Sequence, residues 1–279
     1  MEPDIYAALF PDTVVDGAEL TACTVRAASV RGDSHRHAGE CRQDAVLVIR
    51  LGSGTDALLL LATADGVGSA PRSHLGAQLA CSLVASELNR VRSEILEMLR
   101  QQDEGSLTGC VNTAVAKAAE RLRAEAPQGG DPTDYATTLR ALLVPVDPQI
   151  GARGFFSVGD GGLFRLRGGT WDQDPLTMDR AEGLNETGLI STDTQALPDS
   201  YRYSTVRVIS DSQPGDVLVL CTDGLSTPLA KDPELQSFLA EQWSDAEAPG
   251  LARFLWQAQA RVRSYDDDRT VICLWEKRP

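Results

Sequence analysis

The first part of the chain alternates short apolar runs with turn-rich segments. Residues 25–30, 45–51 and 57–63 are apolar, or alternate between apolar and polar positions, over lengths typical of strands. The segments between them, GDSHRHAGE and GSGTD, are rich in residues that form turns. This pattern predicts three strands joined by turns.

Two helices are predicted after these strands. Between residues 73 and 100, apolar residues recur every three to five positions, which is typical of one face of a long amphipathic helix. These residues are Leu75, Leu79, Leu83, Leu88, Val91, Ile95 and Leu99. A second run at helical spacing covers 107–122 and is followed by the helix-breaking segment PQGGDP.

The rest of the chain predicts more strands and a second pair of helices. The strand-like segments are 137–144, 154–158, 163–166, 205–209, 216–221 and 270–275. Helical spacing marks 234–243 and 249–262. This order predicts sheets with helices packed on their outer faces, in one domain over residues 1–279 with its core at about 25–275.

Composition disfavours several classes of function. The net charge of −14 and a pI near 4.6 disfavour generic binding to the phosphate backbone of nucleic acids. The longest apolar run, residues 57–64, is far shorter than the ~20 residues that span a bilayer. The first residues lack the pattern of a secretory signal, so we predict a cytoplasmic protein with no membrane partner. The six cysteines include no CxxC pair and indicate neither a zinc site nor a disulfide framework.

Four aspartates lie at or beside the ends of predicted strands. Asp44 opens DAVLVIRL, Asp65 ends LLLLATAD, Asp223 ends VLVLCTD and Asp267 precedes TVICLW. Strand ends beside Gly-bearing turns present side chains to a cleft, and carboxylate oxygens suit Mg²⁺ or Mn²⁺. Asp-Gly is also a common turn dipeptide, and residues 266–268 read equally as a solvated acidic loop. Periodicity alone therefore leaves open whether these side chains meet.

Six sequence blocks carry a resemblance to a known family. They are SHRHAGECRQDA (34–45), ATADGVGSAPRSHLGAQLA (62–80), YATTLRALLV (135–144), SVGDGGLFRL (157–166), VLVLCTDGLSTPL (217–229) and DDRTVICLW (267–275). In this order they resemble the metal-dependent type 2C (PPM) protein phosphatases, with the first two blocks closest to a bacterial branch. The resemblance implies an α+β fold, a four-layer α-β-β-α sandwich of two antiparallel sheets flanked by helix pairs.

The matching motifs imply a centre of two divalent cations, Mn²⁺ or Mg²⁺. Asp44 matches the early acidic ligand. Asp65 would bridge the cations, and the carbonyl of Gly66 would complete a ligand position. Asp223 and Asp267 would hold the first cation from the opposite side, with Asp267 chosen over its acidic neighbours by the family's D-x-x-T spacing.

Two further aspartates and a loop have less certain matches to the family. Asp134, just before YATTL, is a candidate ligand for a third cation, although its offset from the motif is imperfect. Asp160 in SVGDGG matches an aspartate that is structural rather than metal-binding. Residues 172–204 occupy the place of the family's variable flap, and their apolar residues predict either a cover over a cleft or a plain surface loop.

The implied reaction is hydrolysis of phosphoserine and phosphothreonine in proteins that a Ser/Thr kinase has phosphorylated. A water held between two cations about 4 Å apart loses a proton near neutral pH and attacks the phosphorus, so no covalent intermediate is needed. Asp65 and Asp223 would thus be catalytic as well as metal ligands.

The chain departs from the best-known members beside this centre. Gly39 stands where those members carry a phosphate-gripping Arg, and Val67 where some carry a His that acts as a general acid. We predict Arg36 and Arg42 as the phosphate-binding residues, because a guanidinium matches phosphate geometry. His35 is predicted to supply a proton or a hydrogen bond to phosphate, with a hydrogen-bonded turn residue as the alternative.

Other functions stay open on the sequence alone. One is a catalytically weak pseudophosphatase, or a phosphopeptide-binding module of the same fold. Another is a phosphatase of a small phosphate ester. The intact acidic set disfavours the binding module, because clustered carboxylates without a cation are costly.

Overall fold

The computed structural model describes residues 9–172, 177–178, 195–245 and 247–277. Its strands are β1 (Thr13–Glu19), β2 (Cys23–Val30), β3 (Ala45–Leu51), β4 (Leu58–Ala64), β5 (Leu139–Pro145), β6 (Arg153–Val158), β7 (Gly162–Arg167), β8 (Thr170–Trp171), β9 (Thr177–Met178), β10 (Thr205–Ile209), β11 (Val217–Cys221) and β12 (Arg269–Glu276). Its α-helices are α1 (Asp33–Ala38), α2 (Ser73–Arg90), α3 (Arg92–Gln101), α4 (Glu104–Ala124), α5 (Asp223–Lys231), α6 (Pro233–Trp243) and α7 (Leu251–Ala258).

The strands form two antiparallel sheets that pack face to face. One sheet has the order β1-β2-β12-β11-β7-β8, with β9 also paired to β7, and the other has the order β10-β6-β5-β4-β3. An apolar layer from both sheets fills the space between them, including Val25, Leu61, Leu142, Phe155, Leu220 and Ile272. Such alternation of inward and outward side chains is what a sandwich of two sheets requires.

Helices cover both outer faces of this sandwich. α2, α3 and α4 pack on the five-stranded sheet, and α5, α6 and α7 pack on the seven-stranded sheet. The predicted four-layer α-β-β-α architecture is therefore confirmed. The assignment of residues 1–279 to a single domain stays a prediction.

The helix predicted over residues 73–100 is two helices in the structure. Val91 leaves the helical conformation, with φ −118° and ψ 18°. Arg92 then opens α3, and its guanidinium donates to the Asp56 carboxylate at 2.9 Å. The prediction of one continuous helix was wrong because no Gly or Pro marks the break. Leu88 and Ile95, on either side of it, are both fully buried, so the apolar stripe continues across it.

Besides the two-residue strands β8 and β9, three elements were missing from the predictions. β1 is a half-buried edge strand with weak alternation. α1 lies within the segment predicted to be a turn and ends at Gly39, whose φ of 75° is the left-handed conformation that commonly terminates helices. α5 begins at Asp223, where the Asp-Gly pair was taken for a turn.

Two sequence predictions can be compared with the structure only in part. Residues 173–176 and 179–194 of the 172–204 loop lie outside the described residues, and so does the prediction that this loop covers a cleft. Within the described ranges, no helix has the length and apolar character needed to cross a bilayer.

Candidate metal centre

The ends of two strand pairs meet at one edge of the sandwich. β3 and β4 pair over their full length, so Asp44, before β3, and Asp65, after β4, lie side by side. The pairing of β11 with β12 brings Asp223 and Asp267 to the end of the other sheet. A cleft of about 150 Å³ lies here, and its walls include Asp65, Gly66, Asp223 and Asp267.

Asp65 and Asp223 form the centre of this cleft. Their carboxylates are close enough for one proton to bridge them. Burial, reinforced by the charges of Asp44 and Asp223, raises the pKa of Asp65 well above its ordinary value. Burial also raises the pKa of Asp223, with further contributions from the charges of Asp160 and Asp267. Asp223 thus makes ionisation of Asp65 more costly, whereas the hydrogen bond from Asp65 acts against the rise in the pKa of Asp223.

The backbone around Asp65 is held by the start of β5 and the residues before it. The Asp65 amide donates to the Thr138 hydroxyl at 3.0 Å, and the Asp65 carbonyl accepts from the Thr138 amide at 2.8 Å and the Thr137 hydroxyl at 2.9 Å. Gly66 lies against Ser73, and a Cβ at Gly66 would come within 2.8 Å of the Ser73 backbone. The Asp-Gly pair is therefore a close-packed junction that fixes the Asp65 side chain.

Asp44 lies behind the cleft and is only 2% exposed. The Thr222 hydroxyl donates to its Oδ2 atom at 2.8 Å. Burial and the charge of Asp268 raise the pKa of Asp44 despite the hydrogen bonds from Thr270 and Thr222. The side chain adds negative charge beneath Asp65 without forming a wall of the cleft described above.

Asp267 and Asp160 complete the acidic lining at the open side of the cleft. Both residues are exposed. Burial of the Asp267 carboxyl group against its neighbours raises its pKa. Asp160 was predicted to be structural, yet it lines the cleft and its charge raises the pKa of Asp223. No sequence signal distinguished it from a turn aspartate, because it stands in a Gly-rich segment.

The donor set fits a divalent cation. Asp223 Oδ1 is buried and has no hydrogen-bond partner among the described residues. A buried carboxylate oxygen without a donor is costly, and neighbouring like charges increase the cost. Hard oxygen donors at the end of a rigid sheet are the ligands that Mg²⁺ and Mn²⁺ prefer, so Asp65, Asp223, Asp267 and the Gly66 carbonyl could hold such ions.

Asp268, predicted only as an acidic neighbour of Asp267, is a buried anchor. It is 2% exposed and accepts four hydrogen bonds. Oδ1 accepts from the Gly32 amide at 2.7 Å and from His35 Nδ1 at 2.9 Å. Oδ2 accepts from the Gln43 and Asp44 amides at 2.5 and 3.2 Å. Burial alone would raise the pKa of Asp268, but the hydrogen bonds from His35 and Gly32 outweigh it and lower that pKa.

The bond to Asp268 orients His35 toward the cleft. His35 lines the cleft, and its Nε2 atom lies 3.9 Å from Asp267 Oδ1. The hydrogen bond to Asp268 raises the pKa of His35, although burial opposes it. Ligand atoms of His35, Asp267 and Asp268 lie within 4.8 Å of one another, a spacing that a metal ion could also use. The four donors on Asp268 already satisfy that carboxylate, so these three residues are a weaker candidate for a metal site than the aspartates of the cleft.

The two arginines predicted to bind phosphate do not line the cleft. Arg42 is 4% exposed, and its guanidinium donates to Ser29 Oγ and to the carbonyls of Asp44 and Pro11. Arg36 pairs with Asp12 at 2.8 Å and lies in a neighbouring pocket. The phosphate-binding roles of both stay predictions, and the buried contacts of Arg42 hold its guanidinium beside the Asp44 backbone, outside the cleft lining.

Gly39 occupies the position where the family resemblance places a phosphate-gripping Arg, and its backbone conformation disfavours an arginine there. Its φ of +75° closes α1, and this conformation is rarely adopted by residues that have a side chain. An Arg at this position would strain the end of the helix that carries His35. The helix that ends at Gly39 carries His35, which lines the cleft.

Asp134 lies outside the cleft walls in a short helical turn. Its carbonyl accepts a hydrogen bond from the Arg72 amide at 2.9 Å. The turn contacts the segment after Asp65 through the Val67 amide and the Ala136 carbonyl at 3.0 Å. The third-cation role of Asp134 stays a prediction.

A protein-family model described as protein phosphatase 2C matches residues 31–258, which is most of the chain. The matched region contains Asp44, Asp65 and Asp223 and ends before Asp267. A comparison with curated protein sequences found no significant match.

Solved bacterial structures share the fold. PppA, a regulatory component of the type VI secretion system in Pseudomonas aeruginosa, is 21% identical over 92% of this chain and 99% of its own, with a TM-score of 0.57. The serine/threonine phosphatase PstP/Ppp of Mycobacterium tuberculosis is 22% identical over 92% of this chain and 100% of its own, with a TM-score of 0.56. A PstP catalytic domain in complex with two manganese ions is 24% identical over 95% and 100%, with a TM-score of 0.53.

Proposed function

The chain belongs to the protein phosphatase 2C family, and we propose that it is an enzyme that hydrolyses phosphoserine and phosphothreonine in proteins with the help of two divalent cations. One observation carries this proposal. Asp65, Asp223 and Asp267 meet in a single cleft, where a buried Asp223 oxygen has no partner among the described residues. The manganese ions of the similar PstP domain support Mn²⁺ as a cofactor, and Mg²⁺ accepts the same ligands.

Each acidic residue has a defined role in this proposal. Two bound cations would supply the nucleophile, by lowering the pKa of a water to near neutrality. Asp65 and the Gly66 carbonyl would hold both cations, and Asp223 and Asp267 would hold one from the facing sheet. Asp44 would increase the affinity for cations through its buried negative charge. Cys221, two residues before Asp223, takes no part as a nucleophile, because it is fully buried and burial raises the pKa of its thiol to about 12.

We propose that His35 donates a proton to the serine or threonine oxygen that leaves the phosphorus. Its Nδ1 is held by Asp268, which leaves Nε2 facing the cleft. The hydrogen bond to Asp268 raises the pKa of His35 and so favours the protonated imidazole, which can donate to the serine or threonine alkoxide. The Asp268–His35 pair would thus stand in for the histidine that some family members carry at the position of Val67.

We expect hydrolysis of p-nitrophenyl phosphate to require added Mn²⁺ or Mg²⁺. EDTA should abolish turnover and excess Mn²⁺ should restore it, because the clustered carboxylates provide no other means of activating water. Circular dichroism before and after chelation would show that the chain stays folded. Absence of metal-dependent turnover with any phosphoester would contradict the proposal and favour a phosphopeptide-binding module. Turnover of small esters but of no phosphopeptide would favour a metabolite phosphatase.

Replacing His35 with Gln should slow phosphopeptide hydrolysis by about a hundredfold, the lower end of the usual contribution of a general acid. p-Nitrophenyl phosphate should be much less affected, because p-nitrophenolate departs without a proton. For the wild type, kcat on the phosphopeptide should fall as pH rises through the raised pKa of His35. His35→Gln should lack this decline. Stopped assays over a pH series would measure both effects.

His37→Gln is the matched control, since His37 is exposed on the same helix. It should keep the wild-type rate and pH profile. Equal losses on both substrates in His35→Gln would mean that His35 supports the cleft structurally and donates no proton.

A further inference from the structure

A second cavity, lined by arginines, adjoins the metal cleft. Its volume is about 370 Å³, and its lining includes Arg31, Arg36, Arg261 and Arg269. Asp267 lines both cavities, so they share a wall. The arginine-lined cavity therefore lies next to the proposed cation site.

Three of the four arginines already have a carboxylate partner. Arg31 and Arg36 pair with Asp12 at 3.1 and 2.8 Å, and Arg261 pairs with Asp33 at 3.0 Å. The Nε atom of Arg31 is nevertheless buried without a partner among the described residues. Asp12 therefore does not satisfy every donor of the Arg31 guanidinium.

Arg269 has no such carboxylate partner. It is 8% exposed, and its guanidinium donates to the carbonyls of Gly224 and Ala260. Among the described residues, no carboxylate lies within ion-pair distance of it. A buried guanidinium without a counter-charge is costly, and an anion in the pocket would offset that cost.

The carboxylates that line the pocket do not supply the counter-charge that Arg269 lacks. Asp33 is neutralised by Arg261, and Asp267 faces the proposed cations as well. Asp266 also lines the pocket, but it is exposed, so solvent screens its repulsion. The chain as a whole carries −14, so the arginines are a local exception to an acidic surface.

We propose that this pocket, here named the arginine pocket, binds an acidic side chain of the phosphoprotein substrate close in sequence to the phosphorylated residue. The inference rests on the proposed phosphatase function. It gives Arg36, which lines the pocket, an anion-binding role that its guanidinium suits. It also defines a substrate class, namely phosphoproteins with Asp or Glu next to phosphoserine or phosphothreonine.

The test compares phosphopeptides that carry Glu or Gln at each position flanking phosphoserine. The wild type should hydrolyse the best Glu peptide about tenfold faster in kcat/KM than its Gln counterpart, the size of one charge-assisted hydrogen bond. Arg261→Glu should remove this preference, because it reverses a charge in the pocket at a side chain that is 84% exposed and tolerant of change. Arg263→Glu is the matched control, since Arg263 is exposed and outside the pocket lining.

The measured quantity is the ratio of kcat/KM for the Glu peptide to kcat/KM for the Gln peptide. A general loss of activity lowers both values and leaves this ratio unchanged. No preference in the wild type at any position would overturn the proposal, and so would an equal preference in Arg261→Glu and Arg263→Glu. Fluorescence anisotropy with the same peptides separates this inference from the function on which it rests. Tighter binding of Glu peptides without any turnover would support the pocket and contradict the phosphatase.

Discussion

Asp223→Asn will lower metal-dependent phosphoester hydrolysis by at least about a thousandfold while the chain stays folded. In the proposed mechanism the carboxylate supplies a cation ligand from the facing sheet, and cations of this kind contribute several kcal/mol to stabilising the transition state. Asn keeps the shape of the side chain but removes the charge. Steady-state kinetics over a range of Mn²⁺ concentrations would measure the loss, and Asp65→Asn should behave in the same way.

The same substitution should stabilise the protein when cations are absent. The pKa of Asp223 is raised in the folded state, first by burial and then by its acidic neighbours. When a carboxyl group has a higher pKa in the folded than in the unfolded state, the free energy of unfolding of the protein falls as pH rises through the folded-state pKa. At neutral pH the chelated wild type should therefore melt below chelated Asp223→Asn, and added Mn²⁺ should raise the melting temperature of the wild type alone.

Asp245→Asn provides the control for these measurements, because Asp245 is exposed and lies outside the cleft. It should match the wild type in rate, in chelated stability and in its response to Mn²⁺. If Asp223→Asn hydrolysed phosphoesters at the wild-type rate, the proposal that Asp223 is a metal ligand would be wrong.

Asp268→Ala should lower the free energy of unfolding by about 3–5 kcal/mol, the usual cost of breaking a buried charged pair. The substitution leaves the Gly32, Gln43 and Asp44 amides and His35 Nδ1 without their common acceptor. Unpaired buried donors carry the full cost of their desolvation. Urea denaturation followed by circular dichroism would measure the change, and Asp266→Ala, two residues away and exposed, is the control.

Asp268→Asn separates the charge from the shape of this anchor. The lowered pKa of Asp268 means that its contribution is present above the ordinary carboxyl pKa and is lost as pH falls through the lower, folded value. The raised pKa of His35 adds a contribution that is lost as pH rises through that value. The stability difference from the wild type should be greatest between these limits. A difference independent of pH would show that only packing is lost.

The sheets were predictable because their strands are continuous apolar runs. β3 and β10 begin and end where the pattern placed them, since few other structures suit such short aliphatic segments. The break at Val91 was not predictable, because it depends on a tertiary contact of Arg92 with Asp56 rather than on a local breaker. α1 was not predicted because its polar sequence buries no apolar face and so shows no helical spacing of apolar residues.

The aspartates of the cleft were predicted from their sequence motifs and the order of those motifs. The roles of the charged residues around them were not predicted, because those roles depend on which side chains are buried. Asp267 and Asp268 are the same residue type in consecutive positions, yet one is exposed and the other is a buried anchor. Arg42 had the chemistry for phosphate, but its donors hold the backbone of β3 from inside the protein. Residue type alone does not determine burial for charged side chains that find partners.

The position of β12 determines when the acidic cleft can assemble during synthesis. β12 follows every other described element in the chain, yet it lies inside its sheet between β2 and β11. Asp267 and Asp268, just before it, supply part of the cleft and the acceptor for the amides that precede β3. A ribosome-bound chain that has not yet released this strand cannot form the site. The nascent protein should therefore stay inactive until translation has passed residue 276, and folding should be slow because these contacts join distant parts of the chain.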